Sequence, residues 1–413
     1  MIRNTISLYQ NAYSGLSKST WLLSFVMLIN RSGTMVIPFM TIYLTQPSMG
    51  YTIGQAGLVM GIFGLGAVCG GFMGGRLTDR FGFHKVQLVA LTGGGLLFMV
   101  LGQMKSYPLI CLCTFLLSLV NESFRPANST AIAHYSKEEN RTRSYSLNRL
   151  SINLGWAMGG AIGGILASIN YHLLFWVDGA TNIAAAFLLR YFLAPAPGHA
   201  TAHKKEATAN VPSISAYRDK VYLRFIFFTI LFASSFFQLF TILPVYYKKA
   251  LHLPVYMIGL LMTMNGLIIT LFEMVLVFKL EGRRDNLFYI MYGVSLLGLS
   301  FILLNSLPLS LFVAFICMIL VTIGEILAMP FMNSFWISRT GMANRGQYAG
   351  LYTIAWSTAQ VVGPSGGAQI AERWGFRTLW WVIGGLCFLS ALGFRWLRRN
   401  KETDGVKGVA AAE

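Results

Sequence analysis

Charge is what this sequence has least of. Only 11% of its 413 residues are Asp, Glu, Lys or Arg, and the acids number 15. A soluble domain carries roughly 25% charged residues, so a chain this poor in charge cannot cover a water-facing surface of its size. Cysteine is scarce too. Cys69, Cys111, Cys113, Cys317 and Cys387 all fall in apolar runs, with neither metal-ligand spacing nor disulfide logic, and read as small packing residues. No Walker lysine loop points to ATP as an energy source. No Ser-His-Asp set and no His/Cys/carboxylate spacing suggests an enzyme or a metal centre, so no metal or organic cofactor is expected. The short alternating segments of a membrane β-barrel are missing as well.

Apolar length, by contrast, is plentiful. A helix needs about 20 apolar residues to cross the ~30 Å hydrocarbon core. Twelve continuous runs meet that need, near 20–45, 55–76, 86–104, 108–134, 146–168, 172–193, 221–247, 256–279, 286–304, 308–334, 347–369 and 376–397. The first is of spanning length and has no small-residue cleavage pattern, so it is expected to insert and stay. The fold class expected is all-α and membrane-embedded.

The formal charge of +17 does not point to nucleic acid, because the cations alternate from loop to loop. Arg76, Arg80 and Lys85, then Lys137, Arg141 and Arg143, then Lys279, Arg283 and Arg284 lie on one side. Lys105, Lys248, Lys249, Arg373 and Arg377 are nearly all that the other side holds. By the positive-inside rule both termini are cytoplasmic, which demands an even number of spans. Compact loops suit a bacterial cytoplasmic (inner) membrane, with membrane lipids as partners of the basic surface.

The chain also repeats itself at an offset of 203–205 residues. Phe175-Trp176-Val177-Asp178-Gly179 ahead of Arg190 echoes Trp380-Trp381-Val382-Ile383-Gly384 ahead of Arg395. Glu122, Pro126, Asn140 and Leu147 echo Glu325, Pro330, Asn344 and Leu351, and Gly54 and Gly61 echo Gly259 and Gly266. The longest break between runs, 194–220, has the Ala, Pro, Thr and Lys composition of a linker. The division is then a first six-helix bundle over 1–193, a cytoplasmic linker over 194–220, a second bundle over 221–400 and a tail over 401–413. Parallel six-helix repeats of this kind define one transporter architecture, with the substrate site at the repeat interface.

Between the second and third runs lies Gly75-Arg76-Leu77-Thr78-Asp79-Arg80-Phe81-Gly82-Phe83-His84-Lys85. This resembles the signature loop of the major facilitator superfamily. With twelve runs, two halves and a linker, the resemblance covers the whole chain. It implies a conformational latch in which Asp79 and Arg80 act across the halves, with Gly75 allowing close approach, Gly82 the turn, and the charge usual at position 83 displaced to His84 and Lys85. Phe83 stands where a basic residue is usual, and His134 where relatives often carry an acid. Gly155, Gly159, Gly160, Gly163 and Gly164 resemble the antiporter motif of drug-exporting members, with Gly160 in place of its proline. Gly363-Pro364-Ser365-Gly366-Gly367 sits at the symmetric place. Such small residues let helices five and eight, or two and eleven, approach closely.

Ionisable residues at membrane depth mark pathways or proton relays. Arg31 lies in the first run, Glu122 in the fourth with Arg125 a turn away, Glu273 in the eighth and Glu325 in the tenth. The resemblance implies that the first, fourth, seventh and tenth helices line the cavity. A carboxylate out of water holds its proton unless a cation pairs with it. Glu325, with no cation near it along its helix, is therefore the leading proton carrier. Glu122 is expected to be kept ionised by Arg31 or Arg125, Glu273 is a further candidate, and Asp178 is expected to be structural. Asn30, Asn121, Gln238, Phe237, Asn265, Tyr352 and Trp356 are candidate substrate contacts, an aromatic set with few polar groups that suits an amphiphilic small molecule. The function these readings imply is antiport exporting amphiphilic molecules or drugs, with the proton as coupling ion. Symport of a nutrient or peptide, flipping of a lipid-linked substrate and a non-transporting sensor stay open. A monomer is what the family implies.

Overall fold

In the computed structural model, which describes residues 15–137, 141–193, 215–308, 310–339 and 345–410, every described regular element is helical. Most of the linker expected over 194–220, the repeat residues Asn140 and Asn344, and the last three residues of the tail lie outside the described residues. Among the described residues, eleven segments are long and apolar enough to cross a membrane. Spans 1 to 6 are Lys18–Leu44, Ile53–Phe81, Phe83–Leu101, Tyr107–Tyr135, Arg143–Ile169 and His172–Phe192. Spans 7 to 10 are Lys220–Phe240, Val255–Leu280, Asn286–Ser306 and Leu311–Ser338. The eleventh segment, Gln347–Asn400, has 54 residues. At about 1.5 Å per residue that is more than twice the ~30 Å hydrocarbon thickness. Gly375 interrupts it at φ 82°, a conformation that favours glycine. The segment is therefore two spans, 11 and 12, which makes twelve among the described residues.

Three spans expected to be continuous are broken, and in each a proline follows the break. Span 1 stops at Ser32 and restarts at Val36, span 4 stops at Glu122 and restarts at Phe124, and span 7 passes through a 3-10 turn, Phe237–Phe240, and resumes as Ile242–Lys249. Pro38, Pro126 and Pro244 are each the third residue of the restarted helix. In a first turn the missing proline N–H removes no hydrogen bond that a helix would make, whereas deeper in the helix it would. Pro330 and Pro364 lie inside helices that run on through them.

The chain forms two compact units, one built from 1–39, 62–206 and 255–270, the other from 40–61, 207–254 and 271–413. The units follow the sequence halves except for two exchanged stretches, and small residues explain both exchanges. In the first unit, the start of span 8 packs on span 5: a Cβ on Gly160 would lie 3.2 Å from the Gly259 carbonyl oxygen, and one on Gly164 3.0 Å from the Gly259 Cα. Thr263 Oγ1 donates to the Ala157 carbonyl at 3.0 Å. In the second unit, the start of span 2 packs on span 11, with Gly57 against Ala368 and Pro364, and Gly61 against Ser365. The Glu372 carboxylate accepts from the Gly54 N–H there.

A valine at Gly259 would collide with span 5 backbone, which cannot rotate away. Gly259→Val is expected to lower the thermal midpoint in detergent by the equivalent of roughly 1–3 kcal/mol of overpacking. Gly385→Ala, in a helix with open space around the new methyl, should leave it unchanged or slightly raised.

Candidate functional site

The charged residues of spans 1 and 4 meet in the first unit. Glu122 closes the first half of span 4, and because Ser123 keeps helical φ/ψ of −65° and −17°, Arg125, three residues on, lies over the same face and its Nε reaches Glu122 Oε2 at 3.1 Å. The carboxylate is 8% exposed and the Arg125 side chain 69%. Arg31, in the last turn of the first half of span 1, is buried and within electrostatic reach of both. Its Nε has no hydrogen-bond partner. Of the two cations expected to serve Glu122, Arg125 makes the ion pair.

Asp178 on span 6 holds the other side of the break in span 1. It is fully buried, and its oxygens accept from the Met35 N–H at 3.0 Å and the Val36 N–H at 2.8 Å. These are donors that the start of the second half-helix would otherwise leave unpaired, and an acid at a helix N-terminus is favoured by the helix dipole. One turn on, Asn182 donates to the Asp178 carbonyl and accepts from Asn30 Nδ2 at 2.8 Å. Asn30, a candidate substrate contact, ties span 1 to span 6 through its amide nitrogen. Gln238 is likewise fully buried and donates to the Ser234 and Gly363 carbonyls, tying span 7 to span 11. Asn121 packs on span 3 at Gly94.

Glu325 is half-buried on span 10, beside Gly324, whose backbone touches Gly293 of span 9. Glu273 and Asn265 are both buried on span 8. In the second unit Phe237, Tyr352 and Trp356 come together: Trp356 lies 6.1 Å from Phe237 and 6.3 Å from Tyr352 between ring centroids, with Phe232 and Phe236 completing the cluster. An apolar groove of about 350 Å³ between spans 5 and 8, lined by Ile165, Ile169, Tyr256 and Leu260 among others, is well removed from these charged groups in sequence and carries none of them.

The glycines of span 5 serve two faces. Gly155, Gly159 and Gly163 lie against Arg31, Ser32 and Met35 of span 1, at its break, while Gly160 and Gly164 meet span 8.

In the signature loop, Asp79, Arg80 and Lys85 are exposed, and Gly82 turns the chain between spans 2 and 3 at φ +83°. Two expectations are corrected. Close approach belongs to Gly74, where a Cβ would lie 2.6 Å from Ser123 backbone, whereas Gly75 faces open space. His84 is no surface cation: it is buried, with Nε2 2.9 Å from the Leu193 carbonyl oxygen. The two departures noted at Phe83 and His134 are partners of each other, their rings 5.2 Å apart, with Tyr135 edge-on to Phe83 at 5.7 Å. An aromatic contact joins the two positions where this chain departs from the family's basic and acidic residues.

One cluster escaped sequence reading. Asp219 caps span 7 through the Tyr222 N–H and accepts two nitrogens of Arg339, at 2.8–2.9 Å, and the Tyr348 hydroxyl at 2.8 Å. Burial pushes this carboxyl up, but the Tyr222, Arg339 and Tyr348 hydrogen bonds and the Arg339 charge together hold it below the usual range. The repeat-equivalent contact in the first unit is neutral: Ser17 caps span 1 and donates to the Tyr135 carbonyl at 2.7 Å. A depressed carboxylate stabilises the fold above its unfolded pKa and loses that contribution as pH falls through the folded one. Asp219→Asn is therefore expected to lower the thermal midpoint at neutral pH, with the gap to wild type narrowing as the buffer is acidified.

Comparison with known proteins agrees with this architecture. The model of the Major Facilitator Superfamily matches residues 20–364. A Na(+), Li(+), K(+)/H(+) antiporter of Planococcus maritimus is 23% identical, over 89% of this chain and 93% of that protein. Multidrug resistance protein MdtH of Yersinia enterocolitica is 22% identical, over 87% and 89%. A solved POT family transporter in complex with 5-aminolevulinic acid superposes with a TM-score of 0.79 at 15% identity, over 92% of this chain and 96% of that one, a likeness of fold. With a family model spanning most of its length, twelve spans and two repeated halves, the chain belongs to the Major Facilitator Superfamily of membrane transporters.

Proposed function

We propose that this chain is a proton-coupled antiporter of a bacterial cytoplasmic membrane, exporting amphiphilic small molecules by alternating access, with both termini cytoplasmic. The observation that carries the reading is the pair of glutamates at membrane depth, Glu122 on span 4 and Glu325 on span 10, at equivalent places in the repeat. Intramembrane carboxylates are expensive and serve ion pathways by default. Glu122 is ion-paired with Arg125. Half-buried Glu325 is the carrier that takes a proton on one side and releases it on the other, with Glu273 as a further candidate. The ring cluster of Phe237, Tyr352 and Trp356 supports an amphiphilic substrate. The names of the relatives, one an antiporter exchanging alkali cations for protons and one a multidrug resistance protein, support antiport and export.

Everted membrane vesicles with an acid interior, followed with a pH-sensitive dye, test this reading. Lipophilic cations, neutral antibiotics, peptides and sugars are added in turn. Release of protons on addition of an amphiphile, dependent on the protein, is the expected result. A response of opposite sign to a peptide or sugar would favour nutrient symport. No response across the panel from folded protein would overturn the reading.

A further inference from the structure

We infer that Arg31 is a recognition site for an anionic group, a carboxylate or a phosphate, on the transported molecule. The inference deepens the transport reading and rests on it. An arginine in a membrane span is costly and is ordinarily paired. Arg31 is only 8% exposed, yet its Nε has no hydrogen-bond partner. The acid within its electrostatic reach, Glu122, is bonded to Arg125. Asp178, the other acid of this neighbourhood, directs its oxygens at the Met35 and Val36 N–H groups. Among Arg31, Arg125 and Glu122 the one carboxylate is thus bonded to Arg125, and Arg31 Nε is left without a partner.

The backbone that carries Arg31 is also held in place. Gly155 of span 5 packs so closely that a Cβ there would lie 2.6 Å from the Arg31 Cβ. The neighbouring Asn30 is bonded to Asn182, which sets the rotation of the half-helix. The chain leaves the helix immediately beyond, with the Arg31 carbonyl accepting from the Gly33 and Thr34 N–H groups. A guanidinium presents a planar fork of donors matched to carboxylate and phosphate oxygens. A fixed, partly unsatisfied fork inside a transporter suits the acidic end of an amphiphile. The depth of Arg31 within its span favours a solute over a lipid headgroup as the source of that anion.

The test uses wild-type protein in phosphatidylcholine nanodiscs, with binding read from tryptophan fluorescence. The probes are naphthylacetate, cholate and decanoate, each beside its uncharged primary amide. At least one acid is expected to bind roughly 10- to 100-fold more tightly than its amide, the range a charge-assisted contact supplies. Arg31→Gln should abolish that preference and Arg31→Lys should keep part of it. Equal binding of every acid and amide to wild type overturns the inference without needing any variant to fold, as does an intact preference in Arg31→Gln. Loss of acid binding when phosphatidylglycerol is added would assign the site to a headgroup and overturn the solute reading. If cations or amides still release protons from vesicles while acids show no preference, the antiport reading stands and the Arg31 site falls. Absence of any proton movement removes the antiport reading whatever the acids do.

Discussion

Glutamine at Glu325 is expected to reduce substrate-induced proton movement to the level of vesicles lacking the protein, with expression and thermal midpoint close to wild type. The substitution keeps shape and hydrogen-bonding capacity while removing the one thing a carrier needs, an exchangeable proton. Its backbone surroundings favour a clean result. Gly324 is packed against Gly293 of span 9, so the helix has little freedom to rearrange around the half-buried side chain. Glu122→Gln should behave differently. Its carboxylate is buried, bonded to exposed Arg125 and within electrostatic reach of buried Arg31, and removing it leaves that buried cation without its nearest acid. Stability should fall there together with transport. Coupling that survives in Glu325→Gln would move the carrier role to Glu122 or Glu273.

Alanine at Asp178 is expected to be the most destabilising single substitution in the first unit, by about 2–4 kcal/mol, because two buried backbone donors lose their acceptor and the half-helix from Val36 to Leu44 loses its cap. Thermal unfolding in detergent measures it. Asp178→Asn, which keeps one acceptor oxygen, should recover part of the loss. An unchanged midpoint in Asp178→Ala would mean that the break in span 1 is held by the glycine face of span 5 alone.

How much of this was legible in the sequence depended on the length scale of the signal. Spans are written in composition, and twelve were counted from it. The Gly82 turn and the glycine face of span 5 were visible because small residues at a four-residue spacing have few other uses. The breaks in spans 1, 4 and 7 were missed because an apolar run looks the same whether or not its backbone is interrupted. Pro38, Pro126 and Pro244 carry that signal only once it is seen that each falls in a first turn. Asn30 and Gln238 read as substrate contacts because their amides were polar in an apolar run, and only the neighbouring spans show their amide nitrogens bonded to Asn182 and Gly363. The Asp219 cluster joins residues 120 and 129 positions apart, beyond any local pattern. Phe83 and His134 were each noticed as departures from the family, but that they pair with each other is a fact of packing.

Reconstituted proteoliposomes under an imposed pH gradient of either sign test proton antiport most directly, using the amphiphile that responds in the vesicle screen. Antiport predicts accumulation of that substrate when the interior is acid, none when the interior is alkaline, and loss of the acid-driven accumulation in Glu325→Gln. Accumulation driven by an alkaline interior, or transport indifferent to the gradient, would contradict it.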